Sequence, residues 1–340
     1  MKKLLLVILF YAIAYPAGAC TTFCFDGIFG RNYDFMIGNG LVIVNKRDVA
    51  KTSMTEMPAQ WKSKYGSITF NQFGREFPTG GMNEAGLVVE LMWLEVTRYP
   101  DRDKRPELGG LEWIQYQLDN FESVNAVLAD LNSRRIASTA PLHYLIADKS
   151  GIVASVEFLD GKPVVHTGDA LPIPVLTNDT YDKSLRFVND GKKHGDNSLE
   201  RFSRAAQMVR SRSQNGSPID YAFSILDRVS QRGSTQWSIV YDMKKQHVYF
   251  KTAQNRAIRS FDFSSFDFSC GSEVKMLNVN QAGTGDVANS FTAYKAEVNR
   301  NLVSESYSHV PFLADTPSGA VLEAASHAEN MKCAADAARN

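Results

Sequence analysis

The chain has 340 residues, 44% apolar and 22% charged, enough apolar material for a sizeable core and too much for a disordered polypeptide. Lys+Arg and Asp+Glu both total 37, so no net charge favours nucleic acid or an anionic membrane surface. Short basic clusters such as Lys192-Lys193 and Arg210 to Arg212 read as solvated faces.

The first nineteen residues have the layout of a secretory signal peptide. Lys2 and Lys3 precede the apolar run Leu4 to Ala14, which is short for a bilayer span, and Ala17-Gly18-Ala19 forms a small-residue cleavage box. Cleavage after Ala19 would make Cys20 the first residue of a periplasmic or secreted protein. Three uses of Cys20 follow from its position. It could pair with Cys24, Cys270 or Cys333 in an oxidising compartment. It could be lipidated, giving a non-catalytic envelope binding protein, although Ala17 departs from the large aliphatic residue usual at that position. It could also be an N-terminal nucleophile, carrying a thiol and a free α-amine on one residue. Those groups titrate near 8.5 and roughly 7.7–8.0, so a proton passes between them at little cost near neutrality.

Strand character begins at once with Thr21 to Phe25, followed by a tight turn at Asp26-Gly27 and a return strand. Such a hairpin brings Arg31 and Asp34 back beside Cys20. Asp34 could hold the α-ammonium, and Arg31 could lower the thiol pKa. Further strands are expected at Leu41 to Val44, Ser67 to Phe70 and Leu87 to Leu91. A second set covers His143 to Ile146, Ile152 to Val156, Trp237 to Tyr241 and His247 to Phe250. Turns at Asp148 to Gly151 and Lys244 to Gln246 separate two of these pairs.

Between the two sets lies helical periodicity. Leu111, Ile114 and Leu118, then Val124, Val127, Leu128 and Leu131, step by three and four. A third helix carries Leu199, Phe202, Ala206 and Val209. A fourth opens on Ser217-Pro218 and buries Ile219, Phe223 and Leu226. Strands, helices and strands in this order fit an α+β layered fold. The polar segment after Cys270 reads as a peripheral arm or C-terminal helix, with Cys270 and Cys333 as structural thiols or a disulfide closing it. Cys24 should share a face with Cys20 and lie in the core.

Cys20-Thr21-Thr22-Phe23 followed by Gly30-Arg31-Asn32-Tyr33-Asp34 resembles the start of the choloylglycine hydrolase family, a group of N-terminal nucleophile amidases that includes bile salt hydrolases and penicillin V acylases. Further motifs keep the same order. Gly80 to Leu87 resembles the family's G-M-N-E-x-G-L turn, Val175 to Asn178 its V-x-T-N segment, and Ser198 to Phe202 its S-x-x-R-F helix start. Thr235 to Val240 is similar to the late core hairpin, so the resemblance covers roughly residues 20 to 270.

That resemblance implies a four-layer αββα sandwich of the N-terminal nucleophile hydrolase type. The signal peptide would occupy 1–19, the cysteine amidase domain 20–270, and an extension packed on or peripheral to it 271–340. It implies Cys20 as nucleophile with Arg31 and Asp34 beside it, Asn83 and Asn178 as oxyanion or substrate-binding amides, and Arg201 as a further charged member. Taken singly, Asn83 reads equally as a turn residue, Asn178 as an Asx turn and Arg201 as a helix-surface charge. Phe35, Trp61, Trp93 and Tyr181 hint at an apolar acyl pocket. The activity implied is hydrolysis of a linear amide such as a conjugated bile acid, penicillin V or an N-acyl amine. No histidine spacing suits a metal, and Gly38-Asn39-Gly40 lacks a full phosphate loop, so no cofactor is expected. The expected partner is a small-molecule amide, with no nucleic acid and no stable membrane insertion after processing. A homo-oligomer is left open.

Overall fold

The computed structural model describes residues 19–192, 194–213 and 215–334. The expected signal peptide, apart from Ala19, and Lys193 of the basic pair lie outside the described residues. Two sheets stack face to face. One has seven strands in the spatial order Val175–Leu176, Thr21–Phe25, Ile28–Asp34, Thr235–Asp242, His247–Thr252, Arg259–Asp262 and Gly285–Asp286. The other has nine and is centred on Leu142–Ala147, Val88–Trp93, Gly80–Asn83, Ser67–Asn71 and Leu41–Asn45.

Helices Asn197–Arg210 and Pro218–Val229 cover the outer face of the first sheet, and Gly110–Asn120 covers the second. The result is a helix–sheet–sheet–helix sandwich. The main apolar core joins the two sheets and the first helical layer through residues such as Phe23, Phe29, Val42, Phe70, Phe202 and Trp237. A second core lies between the nine-stranded sheet and the other helical layer, around Val89, Trp113, Ile114, Tyr144 and Ile146.

The strands and turns expected from alternation are present with small shifts at their ends. So are the four expected helices, and Ser217 caps its helix by accepting from the Asp220 amide at 3.2 Å, with Pro218 in the first turn. Helix Tyr181–Asn189 has no counterpart among the expected elements. It is short, and its stripe of Tyr181, Leu185 and Val188, packed on the main core, is interrupted by polar residues and includes the buried Ser184.

The first hairpin sets the geometry of everything near Cys20. Phe25 pairs with Ile28, and Asp26 and Gly27 have φ of 51° and 87°, the paired left-handed conformation of a two-residue hairpin turn. Thr22 therefore faces Arg31, and Phe23 faces Gly30. A side chain at Gly30 would collide with the Phe23 ring, so glycine is required there.

The segment after Cys270 is not merely an appendage. Strand Lys275–Asn278 pairs with Leu41–Asn45 and extends the nine-stranded sheet. Helices Ala296–His309 and Ser318–Ser326 follow, and a Cys270–Cys333 disulfide ties the ends of this arm together. Its strand alternates weakly in sequence because both ends, Lys275 and Asn278, are exposed.

Candidate active site

Alternation along Ile28–Asp34 divides its polar residues between two environments. Arg31 and Tyr33 point between the sheets, whereas Asn32 and Asp34 point toward the helical layer. Arg31 donates to the Thr79 carbonyl at 2.9 Å and makes a close ion pair with Glu90. Tyr33 donates to Gln72. On the other side Asn32 donates to the Leu226 carbonyl at 2.8 Å, and the Asp34 carboxylate accepts from Gln231 at 3.0 Å and from Thr235.

Cys20 continues the first strand into this frame. It is buried, with 2% of its surface exposed, and its Sγ lies 3.9 Å from the Asp34 carbonyl oxygen. Burial pushes its thiol above the ordinary value, while the Arg31 guanidinium pulls the other way. Arg31 thus acts in the direction expected from the sequence, and desolvation of a thiolate is the larger effect. A neutral thiol at pH 7 calls for a base to take its proton during attack.

Cys20 is free, as is Cys24, and Cys270 is bonded to Cys333, so the disulfide reading of Cys20 is overturned. Cys24 lies in the core, with its thiol raised to about 12 by burial, and behaves as a small apolar residue.

Two motifs far apart in sequence close around the cysteine backbone. Arg201 donates to the Cys20 carbonyl at 2.6 Å, to Thr21 Oγ1 at 2.7 Å and to Asn178 Oδ1 at 2.8 Å. Ser198, one helical turn before Arg201, accepts from the Asn178 amide at 2.9 Å. Asn178 Nδ2 donates to the Trp93 carbonyl at 2.8 Å. The Val175 to Asn178 segment and the Ser198 to Phe202 helix start thus form one clamp. Arg201 is 1% exposed, which excludes its reading as a surface charge.

Asn83 does not join this group. Its Nδ2 donates to the Leu118 and Phe121 carbonyls at 2.8 and 2.7 Å, and its Oδ1 accepts from the Ala85 and Leu87 amides, each at 3.0 Å. Both amide hydrogens are spent on pinning the turn to a helix end. Thr79, at the Arg31 end of the same chain segment, is about 13 Å away at strand rise. Asn83 is a structural turn residue, not an oxyanion donor.

Residues that the sequence did not single out complete the site. Glu90 is fully buried, paired with Arg31 and accepting from Tyr241 Oη at 2.6 Å. Burial lifts its carboxyl to about 7 even with Arg31 and Tyr241 favouring its charged form. A side chain at Gly80 would occupy the space taken by this carboxylate. An acid inside the apolar run Leu87 to Leu91 is the signal that could have marked it, since buried carboxylates need partners. Gln231 is the second such residue, bonded to both Asp34 and the Ala19 carbonyl, each at 3.0 Å.

Glu90→Ala should destabilise the fold by about 3–5 kcal/mol, because it strands a buried guanidinium and opens a cavity beside it. It should also change the rate at which iodoacetamide alkylates Cys20. Unaltered denaturation midpoint and alkylation rate would show that Arg31 does not depend on Glu90.

Beside Cys20 lies a largely apolar cavity of about 200 Å³, whose walls include Tyr33, Phe35, Phe73, Leu91 and Trp93. Phe35 and Trp93 were expected in such a pocket. Trp61 and Tyr181 are elsewhere: Trp61 packs on Tyr116 and donates to Asp119, and Tyr181 is buried against Phe202. The arrangement provides a buried thiol at the wall of an apolar chamber, an adjacent guanidinium, and a carboxylate beside the cysteine backbone.

Comparison with known proteins agrees with this architecture. The profile of linear amide C–N hydrolases, choloylglycine hydrolase family, matches residues 20–210. Penicillin V acylase from Pectobacterium atrosepticum is 28% identical over 279 residues, covering 66% of this chain and 73% of that protein. The solved structure of penicillin V acylase from Agrobacterium tumefaciens superposes with a TM-score of 0.71 at 30% identity, over 82% of this chain and 98% of that one. A variant of the conjugated bile acid hydrolase from Clostridium perfringens shares the fold, with a TM-score of 0.65 at 21% identity over 79% and 99% of the two chains. The α+β sandwich and the order of motifs along it have the same origin: this chain belongs to the choloylglycine hydrolase family and is a hydrolase of linear amide carbon–nitrogen bonds.

Proposed function

We propose that the chain is exported, cut after Ala19, and acts in the periplasm or outside the cell on a linear amide with an apolar acyl half, through a thioester on Cys20. The observation that carries this reading is the position of the Cys20 thiol, buried at the wall of an apolar chamber with Arg31 beside it. Penicillin V and related arylacyl amides suit that chamber, and two of the relatives are penicillin V acylases.

The α-amine of processed Cys20 takes the thiol proton as sulfur attacks the amide carbon. The tetrahedral intermediate collapses to the thioester, and the proton passes to the departing amine. Water, deprotonated by the same amine, then attacks the thioester carbon, releases the acid and restores the thiol. Asp34, which faces the N-terminal backbone through Gln231, orients the amine. Arg31 offsets negative charge on sulfur, and Arg201 fixes the cysteine backbone.

Asn178 serves the oxyanion in this reading, one guanidinium away from Cys20 through Arg201. Asn178→Ala should lower kcat by roughly 10²–10³, with KM changed less, because the bond strengthens as the carbonyl becomes tetrahedral. Loss of melting temperature with normal turnover per folded molecule would reduce Asn178 to a loop anchor.

The direct test is hydrolysis of penicillin V, glycine- and taurine-conjugated bile acids, and N-acyl amines by mature protein. No turnover of any of them would overturn the proposal. Intact mass of the mature N-terminus tests the lipidated alternative, since a diacylglyceryl adduct on Cys20 would block the thiol. The burial of Sγ against the Asp34 backbone supports the free thiol.

A further inference from the structure

The amidase reading leaves open what selects the acyl half. We propose that the C-terminal arm roofs the acyl chamber and sets acyl selectivity, with Phe312 as its specificity-determining residue. This rests on the assignment of the chamber to the acyl group.

One side of the chamber is made by Cys20, Tyr33 and Leu91 from the two central sheets. The other is made by Tyr307, Phe312 and Leu313 from the arm. The family profile ends at residue 210, so the roof comes from outside the matched region. The arm is firmly seated. Ser306 donates to the Gln72 carbonyl at 2.8 Å, and Asn299 accepts from the Arg75 amide at 2.8 Å while donating to the Ala325 carbonyl at 3.0 Å. Val303 is fully buried, and the Cys270–Cys333 bond closes the arm on itself. Gln72 also accepts from Tyr33, so the roof is joined to the strand that carries Arg31.

Phe312 is 54% exposed, unusual for a ring of its size, and packs on Trp93 with centroids 5.6 Å apart. It adds little to the core. Phe312, Leu313 and Trp93 line both the inner chamber and a wider groove of about 920 Å³ beyond it. Together with Ser138, Thr139 and Ala140 they form the threshold between the two spaces. An apolar acyl group entering the chamber would cover the exposed ring, which gives Phe312 a use that folding does not.

The inner space, about 200 Å³, opens into this groove through residues that line both. Its apolar walls suit one aromatic ring on a short spacer, or a medium straight chain, close to Cys20. Removing Phe312 would merge chamber and groove, loosening the grip on a single ring and admitting broader acyl groups.

The test compares wild type, Phe312→Leu and Phe312→Ala on penicillin V and on a glycine-conjugated bile acid. Phe312→Ala should shift the ratio of kcat/KM values by about tenfold or more toward the bile acid, with Phe312→Leu between. Its melting temperature should stay near that of wild type because the ring is exposed. An unchanged ratio overturns the proposal.

A binding measurement separates this inference from the amidase reading. Phenoxyacetate, titrated into Cys20→Ser and followed by tryptophan fluorescence, reports the chamber without turnover. Phe312→Ala in that background should weaken the affinity about fivefold or more. Equal affinities overturn the roof, whereas absence of wild-type hydrolysis on every amide overturns only the reaction assigned above.

Discussion

Cys20→Ser should lose turnover by a factor on the order of 10⁴ or more, while its fold and melting temperature stay close to those of wild type. Oxygen replaces sulfur with little change of volume, so the buried seat against the Asp34 carbonyl is kept. The chemistry is not kept. A hydroxyl is a far weaker nucleophile, and nothing in the site offers it a strong base. Arg31, whose charge acts on the thiol, can offset developing charge but cannot accept a proton. The measurement is kcat on the best amide of the panel, using protein whose N-terminus has been verified by mass. Activity equal to wild type would place the reaction on some other group. Cys24 could not take over, because its thiol is buried in the core and raised to about 12.

The parts of this site that are local in sequence were the legible ones. A two-residue Asp26-Gly27 turn fixes hairpin register, and register fixes that Thr22 faces Arg31. The motif order also proved informative, because the Asn178 loop and the Arg201 helix start are physically joined through Ser198. Asn83 was misread for a definite reason. An amide before a strand looks the same in sequence whether its hydrogens are available or already taken. Here they are taken by Leu118 and Phe121, in a helix end that the turn itself does not encode.

Aromatic residues posed the same difficulty. Phe35 and Trp93 reach the chamber while Trp61 and Tyr181 enter other packing; each core takes one residue of each kind, so the place of a ring along its own element decides between these fates. The arm was hidden by its polar composition. Its contribution to the chamber comes from three residues near the end of a helix, held there by bonds to Gln72 and Arg75 more than two hundred positions earlier.

A chain extended by one residue before Cys20, or one in which cleavage after Ala19 is blocked, should fold and yet lose about 10²–10⁴ of its activity. In the uncut chain the nitrogen of Cys20 belongs to the Ala19–Cys20 peptide bond, and an amide nitrogen is not a base. The surroundings are already arranged for the processed form. Gln231 donates both to the Ala19 carbonyl and to the Asp34 carboxylate, so cleavage would leave the new α-ammonium next to a buried acid. That carboxylate would raise the amine's pKa above its usual range of roughly 7.7–8.0, and the free amine would be the active form. For the mature enzyme kcat/KM should therefore rise with pH through that region. The extended form should lack this rise and keep only weak, pH-insensitive turnover. Both forms should still bind phenoxyacetate in the chamber, which separates loss of the base from loss of the site. Full activity in the extended form would show that the proton from Cys20 goes somewhere other than its own amine.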